Sequence, residues 1–537
     1  MELLRELARL QRERGWLSND SLRALADAKT LPLYRLEGLV GFYPHFRREP
    51  PQRATVHVCR DICCAMAGGS RLSDQLRDAR ADDDVDVREV SCLGRCDTPP
   101  AAAVNGVPVT GPADRLSAFL DDPDTLPDNE PTAVRRNWKC DPYADGIPPY
   151  SVVRDLLAGE KVPGEICIDR LRAAGLRGMG GAGFPTGRKW ELVRAESATP
   201  KYVICNADES EPGTFKDRVI LEELPHLVIE GMLLAGLTIG AEEGVIFLRH
   251  EYAREQKALE RELKRARSLG ILGDDAACSG RRFEIEIFVS PGGYILGEET
   301  ALLEALEDKR GEPRNRPPYP GQNGLWGRPT LINNVETFAL ATSIVRRGPD
   351  WWHAQGVGDC SGLKVVSVSG DVENPGVFEI PVGTTVNELI ASAGGVRNGN
   401  SLLAFLPGGA SSNFLPADKA DTPLDFDAMR QAGSMLGTGA VIVIGEGRDL
   451  FALATNLVRF FRNESCGKCV PCRVGSEKAV QLLEGVQAGD VSRDGLAILP
   501  ELGETLEQTS ICGLGQVALN PILSMLRHWP DAAGNGE

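Results

Sequence analysis

Fourteen cysteines are spread over 537 residues, and eight of them fall into two tight sets. Cys59 and Cys64 form a C-x4-C pair and Cys92 and Cys96 a C-x3-C pair, each at the end of a segment that reads as a strand. Loops at strand ends can fold four thiolates around a small metal centre, and four thiolates are what a [2Fe-2S] cluster needs. Zinc competes for such a site but favours C-x2-C spacing. Cys63 could substitute for Cys64 through C-x3-C spacing; its plainer role is a buried neighbour of the ligand. The second set is sharper: Cys466, Cys469 and Cys472 stand as C-x2-C-x2-C, and Cys512 follows in SICGLG. Three close thiols can cap one face of a cubane while a distant fourth closes it, the ligation of a [4Fe-4S] cluster. Structural zinc seldom uses such a trio. Cys140, Cys167, Cys205, Cys278 and Cys360 are isolated and read as small buried hydrophobes. The six histidines show no HxxxH or HExxH pattern, so a histidine metal site has little support.

Two further segments carry chemistry. GLRGMGGAGFPTGRKW, residues 175–190, is dense in glycine, which lets backbone N–H groups approach an anion closely, and Arg188 and Lys189 add positive charge. It is neither a P-loop nor a clean GxGxxG, so the expectation is a phosphate-bearing cofactor and the alternative a flexible turn. CNADESEPGTFKDR, residues 205–218, holds Asn206, Asp208, Glu209 and Glu211 just after a strand, where open α/β sheets place ligand-binding groups; such acid clusters are otherwise solvated loops. GGYILGEETALLEALEDKRG adds Glu298 and Glu299 at a helix start, and RPTLINNVET adds the amides of Asn333 and Asn334. Carboxylates and amides suit ribose and ribityl hydroxyls and the edge of a flavin ring. Two iron–sulfur sites beside a nucleotide and flavin pocket imply electron transfer, because a flavin takes a hydride and passes on single electrons.

Positioning these groups needs several domains, three or four at roughly 150 residues each. Leu3, Leu4, Leu7 and Leu10 recur at helical spacing, and Ser18 offers an N-cap to a second helix. ATVHVC (54–59) and DVDVREVSC (84–92) alternate like strands around a helical stretch at 72–80, a small α/β unit. The Pro- and Asp-rich run 121–139 reads as a linker. From about 143 to 350, strands such as YVIC and GVIFL alternate with helices such as 251–269, which is α/β patterning. Residues 363–395 give two short strands, a turn and a helix, like a compact β-grasp, and LFALATNLVRFF and EKAVQLLEGV read as helices of a closing bundle. A net charge of −17 argues against nucleic-acid and anionic-lipid partners. The longest apolar stretch, 231–241, falls short of the roughly 18 residues of a membrane span, and the charged N-terminus lacks a signal-peptide core, so a cytoplasmic location without membrane insertion is expected. In that reducing compartment clustered thiols read as metal ligands.

GGAGFPTGRKW, CNADESEPGTFKDR, YILGEETALLEALE, GLWGRPTLINNVET and ESCGKCVPCRVG with SICGLG resemble the NADH-binding flavoprotein subunit of respiratory complex I. The first 125 residues, with GFYPHFR and cysteines 59, 64, 92 and 96, resemble its thioredoxin-fold [2Fe-2S] partner subunit. The fusion is similar to diaphorase subunits: the β subunit of NAD-dependent molybdenum or tungsten formate dehydrogenases and the flavin subunit of NAD-reducing hydrogenases. The intact N-terminal ligands and the RPPYPGQNGLWG wording lean toward formate dehydrogenase.

The resemblance implies a multidomain α/β chain. Residues 1–125 would be a helical lead-in plus a thioredoxin-like [2Fe-2S] domain, 126–142 a linker, and 143–358 a Rossmann-like FMN- and NAD-binding domain; 359–445 would be a β-grasp-like SLBB-type domain and 446–537 a helical bundle carrying the [4Fe-4S] cluster. It implies FMN, NAD(H), one [2Fe-2S] and one [4Fe-4S] cluster as cofactors. FMN would lie on Gly178, Gly180, Gly181, Ala182, Gly183 and Gly187, with Lys189, Asn206, Asp208, Glu209, Asn333, Asn334 and Thr337 around it. Phe184 and Tyr319 would border the nicotinamide cofactor, Tyr294 and Gly297 would also line the cofactor site, and Glu211, Glu298 and Glu299 would orient the nucleotide. Hydride would pass between nicotinamide C4 and FMN N5 without a protein acid or base. Single electrons would then reach the cluster of Cys466, Cys469, Cys472 and Cys512 and continue into another subunit, with the [2Fe-2S] centre a side site or second branch. The expected partner is a molybdenum- or tungsten-pterin subunit with further clusters, in a hetero-oligomer; hydrogenase subunits or a complex-I-like module are the alternative, and a zinc-stabilised binding scaffold the remote one. Two departures stand out: Met179 where the family usually has Arg, and Leu192 where an aromatic is common. The acidic pocket disfavours a 2′-phosphate, hence NADP.

Overall fold

The computed structural model describes all residues except 81–83, 123–124, 128–129, 132–135, 145, 160–161 and 533–537. Three sheets, each built by a different local pattern, frame it.

The chain begins with helices Glu2–Arg14 and Asn19–Lys29, the second capped by Ser18 accepting from Ser21 N–H, and a third over Leu33–Val40. The first sheet runs β2-β1-β3-β4, with β1 (Ala54–Cys59), β2 (Val85–Val90), β3 (Ala101–Val104) and β4 (Val107–Thr110). β1 and β2 are parallel and β3 and β4 return antiparallel, so the Cys92–Cys96 loop and the helix carrying Cys64 leave from the same sheet end as Cys59.

Residues 128–129 and 132–135 of the expected linker 126–142 fall outside the described residues, and its far end is strapped down. Trp138 Nε1 and Arg136 N–H donate to Glu223 at 2.7 and 3.1 Å. The second sheet is fully parallel, as its buried strands and intervening helices dictate. Its order is β7-β6-β5-β8, with β5 (Tyr202–Ala207), β6 (Glu243–Leu248), β7 (Glu284–Val289) and β8 (Thr330–Asn334). Beneath it helix Pro225–Ile239, largely apolar and almost wholly buried, packs on helix Val335–Arg347 so closely that a Cβ on Gly231 would collide with the Phe338 carbonyl.

The third sheet, β10-β9-β13-β11-β12, exceeds the sequence expectation of two strands and a helix. To β9 (Leu363–Gly370) and β10 (Gly376–Pro381) it adds β11 (Leu402–Leu406), β12 (Leu415–Pro416) and β13 (Ala440–Gly445). Helices Leu450–Glu464, Val470–Ala488, Leu499–Thr509 and Asn520–His528 end the described chain. Among the described residues no helix is long and apolar enough to cross a membrane.

Candidate functional site: a glycine-rich cradle between two thiol sets

In the parallel sheet the strand order reverses between β5 and β8, and their carboxyl ends are paired in register, Cys205 to Asn333 and Asn206 to Asn334. Such a switch point leaves a crevice where open α/β sheets bind ligands. The glycine-rich segment folds over it as a tight loop closed by Gly178 N–H to Phe184 O at 2.9 Å and Thr186 N–H to Leu176 O at 2.8 Å. Two of its glycines are tightly enclosed, and one of them, Gly183, is also left-handed. A Cβ on Gly180 would sit 3.0 Å from the Cβ of Asn334, and Gly183, at φ +63, would press a Cβ to 3.0 Å from the Phe426 ring. Met179 N–H donates to Thr337 Oγ1 at 2.9 Å, tying the loop to helix Val335–Arg347, whose N-terminus is capped by Asn334. Met179 itself is buried. Helix Thr186–Ala195 presents Lys189, whose Nζ bonds Glu299 at 2.6 Å and Ile332 O at 2.9 Å, and Trp190, which donates to Asn333 Oδ1 at 3.0 Å. Phe184 and Tyr319 stay exposed, at 43% and 57%, as does Leu192.

The acidic loop after β5 is buried, unlike a solvated charge run. Asp208 accepts from Ser210 and Ser290 hydroxyls at 2.6 and 2.8 Å; burial pushes its carboxyl up to about 6. Glu209 accepts from Asp217 N–H, Arg218 N–H and Tyr252 OH at 2.8, 3.1 and 2.8 Å, and burial with the charge of Asp217 raises it to about 7. Glu211 accepts from Ser411 N–H at 2.8 Å, from a turn of the third sheet's domain, and burial raises it too to about 7. Asn206 Nδ2 donates to Gly297 O at 2.8 Å. Beneath Asn334, whose Nδ2 donates to Asp217 at 2.6 Å, Lys216 bonds Asp217 and Glu336 at 2.7 and 2.8 Å, and Lys364 from β9 joins the same Glu336 at 2.6 Å. A buried charge set of this kind is stable only because each member is paired.

The first thiol set is interior. Cys59, Cys64, Cys92 and Cys96 are each at most 4% exposed, with Cys92 and Cys96 Sγ 3.5 Å apart and Cys59 within hydrogen-bonding reach of Cys64 and Cys92. Backbone N–H groups of Gly94, Ala101 and Gly213 point at the sulfurs of Cys92, Cys64 and Cys96, each at 3.4 Å. Gly213 belongs to the acidic loop, so this donor crosses a domain boundary. Arg249 crosses it again: its guanidinium donates to the carbonyls of Cys92 and Glu209 and pairs with Glu251 at 2.9 Å. Cys63 faces Ser369 of β9 at 3.3 Å. The second set sits where helix Val470–Ala488 begins. Cys469 is its N-cap residue, Cys466 and Cys469 are partly exposed, and Cys472 and Cys512 lie behind them, with Gly515 leaving room for Cys472.

The glycine loop, Asn206, Asn333, Asn334, Thr337, Lys189 and Glu299 thus converge on one crevice. Two candidates serve the fold as well. Glu298 caps helix Glu299–Leu306 through Thr300 and Ala301 N–H, both at 2.9 Å. Tyr294 packs its ring on Phe460 and Phe461, with its hydroxyl 3.2 Å from Ser411 Oγ. Sequence reasoning missed Ser411, Arg249, Tyr252 and Lys364, none of which lies in a motif that announces the site.

Known proteins share this arrangement. Residues 171–342 match the model of the Nuo51 FMN-binding domain and 452–535 the NADH-ubiquinone oxidoreductase-F iron-sulfur binding region. Residues 1–115 match the thioredoxin-like [2Fe-2S] ferredoxin and 365–412 the SLBB domain. The chain is 42% identical over 381 residues to the F 2 chain of NADH-quinone oxidoreductase from Rhizobium meliloti (strain 1021), 71% of this chain and 90% of that one. It is 40% identical over 365 residues to HndC, a component of the NADP-reducing hydrogenase of Solidesulfovibrio fructosivorans, 68% of this chain and 74% of that one. A solved chain of an NAD+-reducing [NiFe]-hydrogenase in the air-oxidized state superimposes with a TM-score of 0.88 and 34% identity, covering 98% of this chain and 92% of that one. The donor sets suit the groups these domains carry: two sets of four thiols for iron–sulfur clusters, and a glycine cradle with amides and carboxylates for FMN and NADH. The chain belongs to the NADH-binding FMN and iron–sulfur flavoprotein family that includes the F chains of NADH-quinone oxidoreductases and the diaphorase subunits of hydrogenases.

Proposed function

We propose that the chain is the diaphorase β subunit of an NAD-dependent formate dehydrogenase, exchanging electrons between NAD(H) and a molybdenum- or tungsten-pterin subunit. The observation that carries the diaphorase reading is the convergence of glycine loop, buried acids and paired asparagines at the β5/β8 switch point, in a domain against which both four-thiol sets pack. FMN, when bound, supplies the conversion of a hydride pair into single electrons.

The chain's own groups bind and orient. Backbone N–H groups of Gly178, Gly180, Gly181, Ala182, Gly183 and Gly187, with Lys189, would hold the flavin phosphate; Asn206, Asp208, Glu209, Asn333, Asn334 and Thr337 would meet the ribityl chain and ring edge. Phe184 and Tyr319 offer exposed faces for the nicotinamide cofactor, with Tyr294 and Gly297 behind them. Glu211, Glu298 and Glu299 would orient its ribose hydroxyls, and their charge disfavours a 2′-phosphate. Cys59, Cys64, Cys92 and Cys96 would ligate the [2Fe-2S] cluster; Cys63 and Cys64 each contact another thiol of the set, and the Ala101 N–H on the Cys64 sulfur supports Cys64 as the ligand. Cys466, Cys469, Cys472 and Cys512 would ligate the [4Fe-4S] cluster.

The formate assignment is supported by the RPPYPGQNGLWG wording and the complete N-terminal ligand set. A hydrogenase diaphorase is the second reading, favoured by the whole-length likeness to the [NiFe]-hydrogenase chain. Elemental analysis of the native complex, captured through a tag on this chain, separates them. Molybdenum or tungsten with iron is the expected result. Nickel would make it a hydrogenase component, iron alone a complex-I-like module, and zinc without iron would remove the redox reading altogether.

A further inference from the structure

Glu464 stands where the surroundings of both thiol sets and the flavin domain meet. It is the last residue of helix Leu450–Glu464, two positions before Cys466. One carboxylate oxygen accepts from the Ser91 hydroxyl at 2.5 Å, and Ser91 is covalently next to Cys92. The other accepts from the backbone N–H of Tyr294 at 2.8 Å, in the segment that follows β7. The next residue, Ser465, places its hydroxyl 3.3 Å from Cys472 Sγ. Tyr294 is in turn fixed by its ring against Phe460 and Phe461, at centroid distances of 5.0 and 6.2 Å. A single carboxylate therefore spans the neighbour of one cluster ligand, the approach to another and the flavin-domain segment between them.

We propose that Glu464 is a positioning residue shared by the two clusters, fixing both ligand segments on Tyr294 and lowering the reduction potential of both together. The cause of the second effect is electrostatic. Reduction adds negative charge to a cluster, a nearby carboxylate opposes it, and cluster potentials follow local charge and hydrogen bonding. In this partly buried junction that opposition is screened less than between fully exposed charges. The inference rests on reading the two thiol sets as iron–sulfur ligands.

Glu464→Gln tests it. The amide keeps the shape, its oxygen can still accept from Tyr294, and its nitrogen can donate to Ser91 Oγ, so the link survives and the charge goes. In redox titrations of the native complex followed by electron paramagnetic resonance, both cluster signals shift to higher potential in this variant, with iron and flavin content unchanged. Glu464→Asp, which retains the charge, brings both back toward the wild-type values. A shift of one cluster only, or of neither, overturns the proposal. If the glutamine variant does not assemble, Ser91→Ala serves: it removes one hydrogen bond, so the [2Fe-2S] spectrum changes and the [4Fe-4S] spectrum does not, and no change in either overturns the link. Wild-type complex lacking the iron of two clusters would instead contradict the reading on which the inference rests.

Discussion

The two thiol sets differ in what surrounds them. Cys59, Cys64, Cys92 and Cys96 are buried and gripped from outside their own sheet, by Gly213 N–H from the acidic loop, by Arg249 after β6, and through Ser91 by Glu464. Cys466 and Cys469 are partly exposed at a helix start, next to Val470 and Val474, which show 58% and 56% of their surface. Among the described residues the interior set is locked to the flavin domain and offers no exposed thiol. A centre at the surface, beside two exposed valines one helical turn apart, has a face for a partner. The proposed division of labour builds on this contrast: the [4Fe-4S] set would serve as the exit and the [2Fe-2S] set as a side site or second branch.

Four changes break or sharpen that contrast. Cys64→Ala removes the iron of the interior cluster while Cys63→Ala leaves it, measured by iron content and cluster spectra; the reverse result would make Cys63 the ligand. Arg249→Leu strands the Cys92 and Glu209 carbonyls and leaves the partly buried Glu251 with only His45 beside it. A loss of about 3–5 kcal/mol is expected for a broken buried pair, read as a lowered midpoint for loss of the [2Fe-2S] absorbance on heating. Glu251 is the group through which pH acts there: burial raises its carboxyl, but Arg249 and His45 outweigh that and hold it at about 2. Its stabilisation is thus present above the ordinary carboxylate range, near 4.5, and is lost as pH falls toward 2. Val470→Asp with Val474→Asp weakens association with the partner about thirtyfold or more, since burying each valine contributes about 1 kcal/mol or more, while NADH reduction of the flavin is untouched. The smallest effect belongs to Glu211. With its carboxyl raised to about 7, NADH affinity falls roughly threefold to tenfold as pH rises through that value and a negative charge appears beside an anionic ligand; Glu211→Gln flattens the profile.

The raised carboxyls also bear on stability. Asp208, at about 6, and Glu209 and Glu211, at about 7, keep their protons in the folded chain over a range where the unfolded chain has lost them. Their contribution therefore falls as pH rises from about 4 to about 7 and is flat above. Unfolding of the flavin domain followed across that range checks it.

What the sequence revealed depends on the reach of each signal. Ligand spacing, the Ser18 cap, the helices over 450–488 and the strands 202–207 and 243–248 are local patterns, and each was readable. β13, AVIVIG, is buried throughout and pairs parallel with β9, so it carries no alternation, and β12 has only two residues. Both escaped the sequence reading. Burial of the acids was equally hidden, because their partners come from afar: Ser411 is 200 residues from Glu211, and Tyr252 and Arg249 reach Glu209 from the end of β6. Four acids within ten residues state a charge, and only the fold states whether water reaches it.

The most direct measurement follows cluster spectra in a Cys469→Ala complex with its partner and acceptor present, after mixing with NADH. Flavin and [2Fe-2S] should become reduced and stay so, with no electrons delivered to the partner, because the surface exit is gone. Reoxidation of the [2Fe-2S] cluster at the wild-type rate, with delivery retained, would contradict the assignment of interior branch and surface exit.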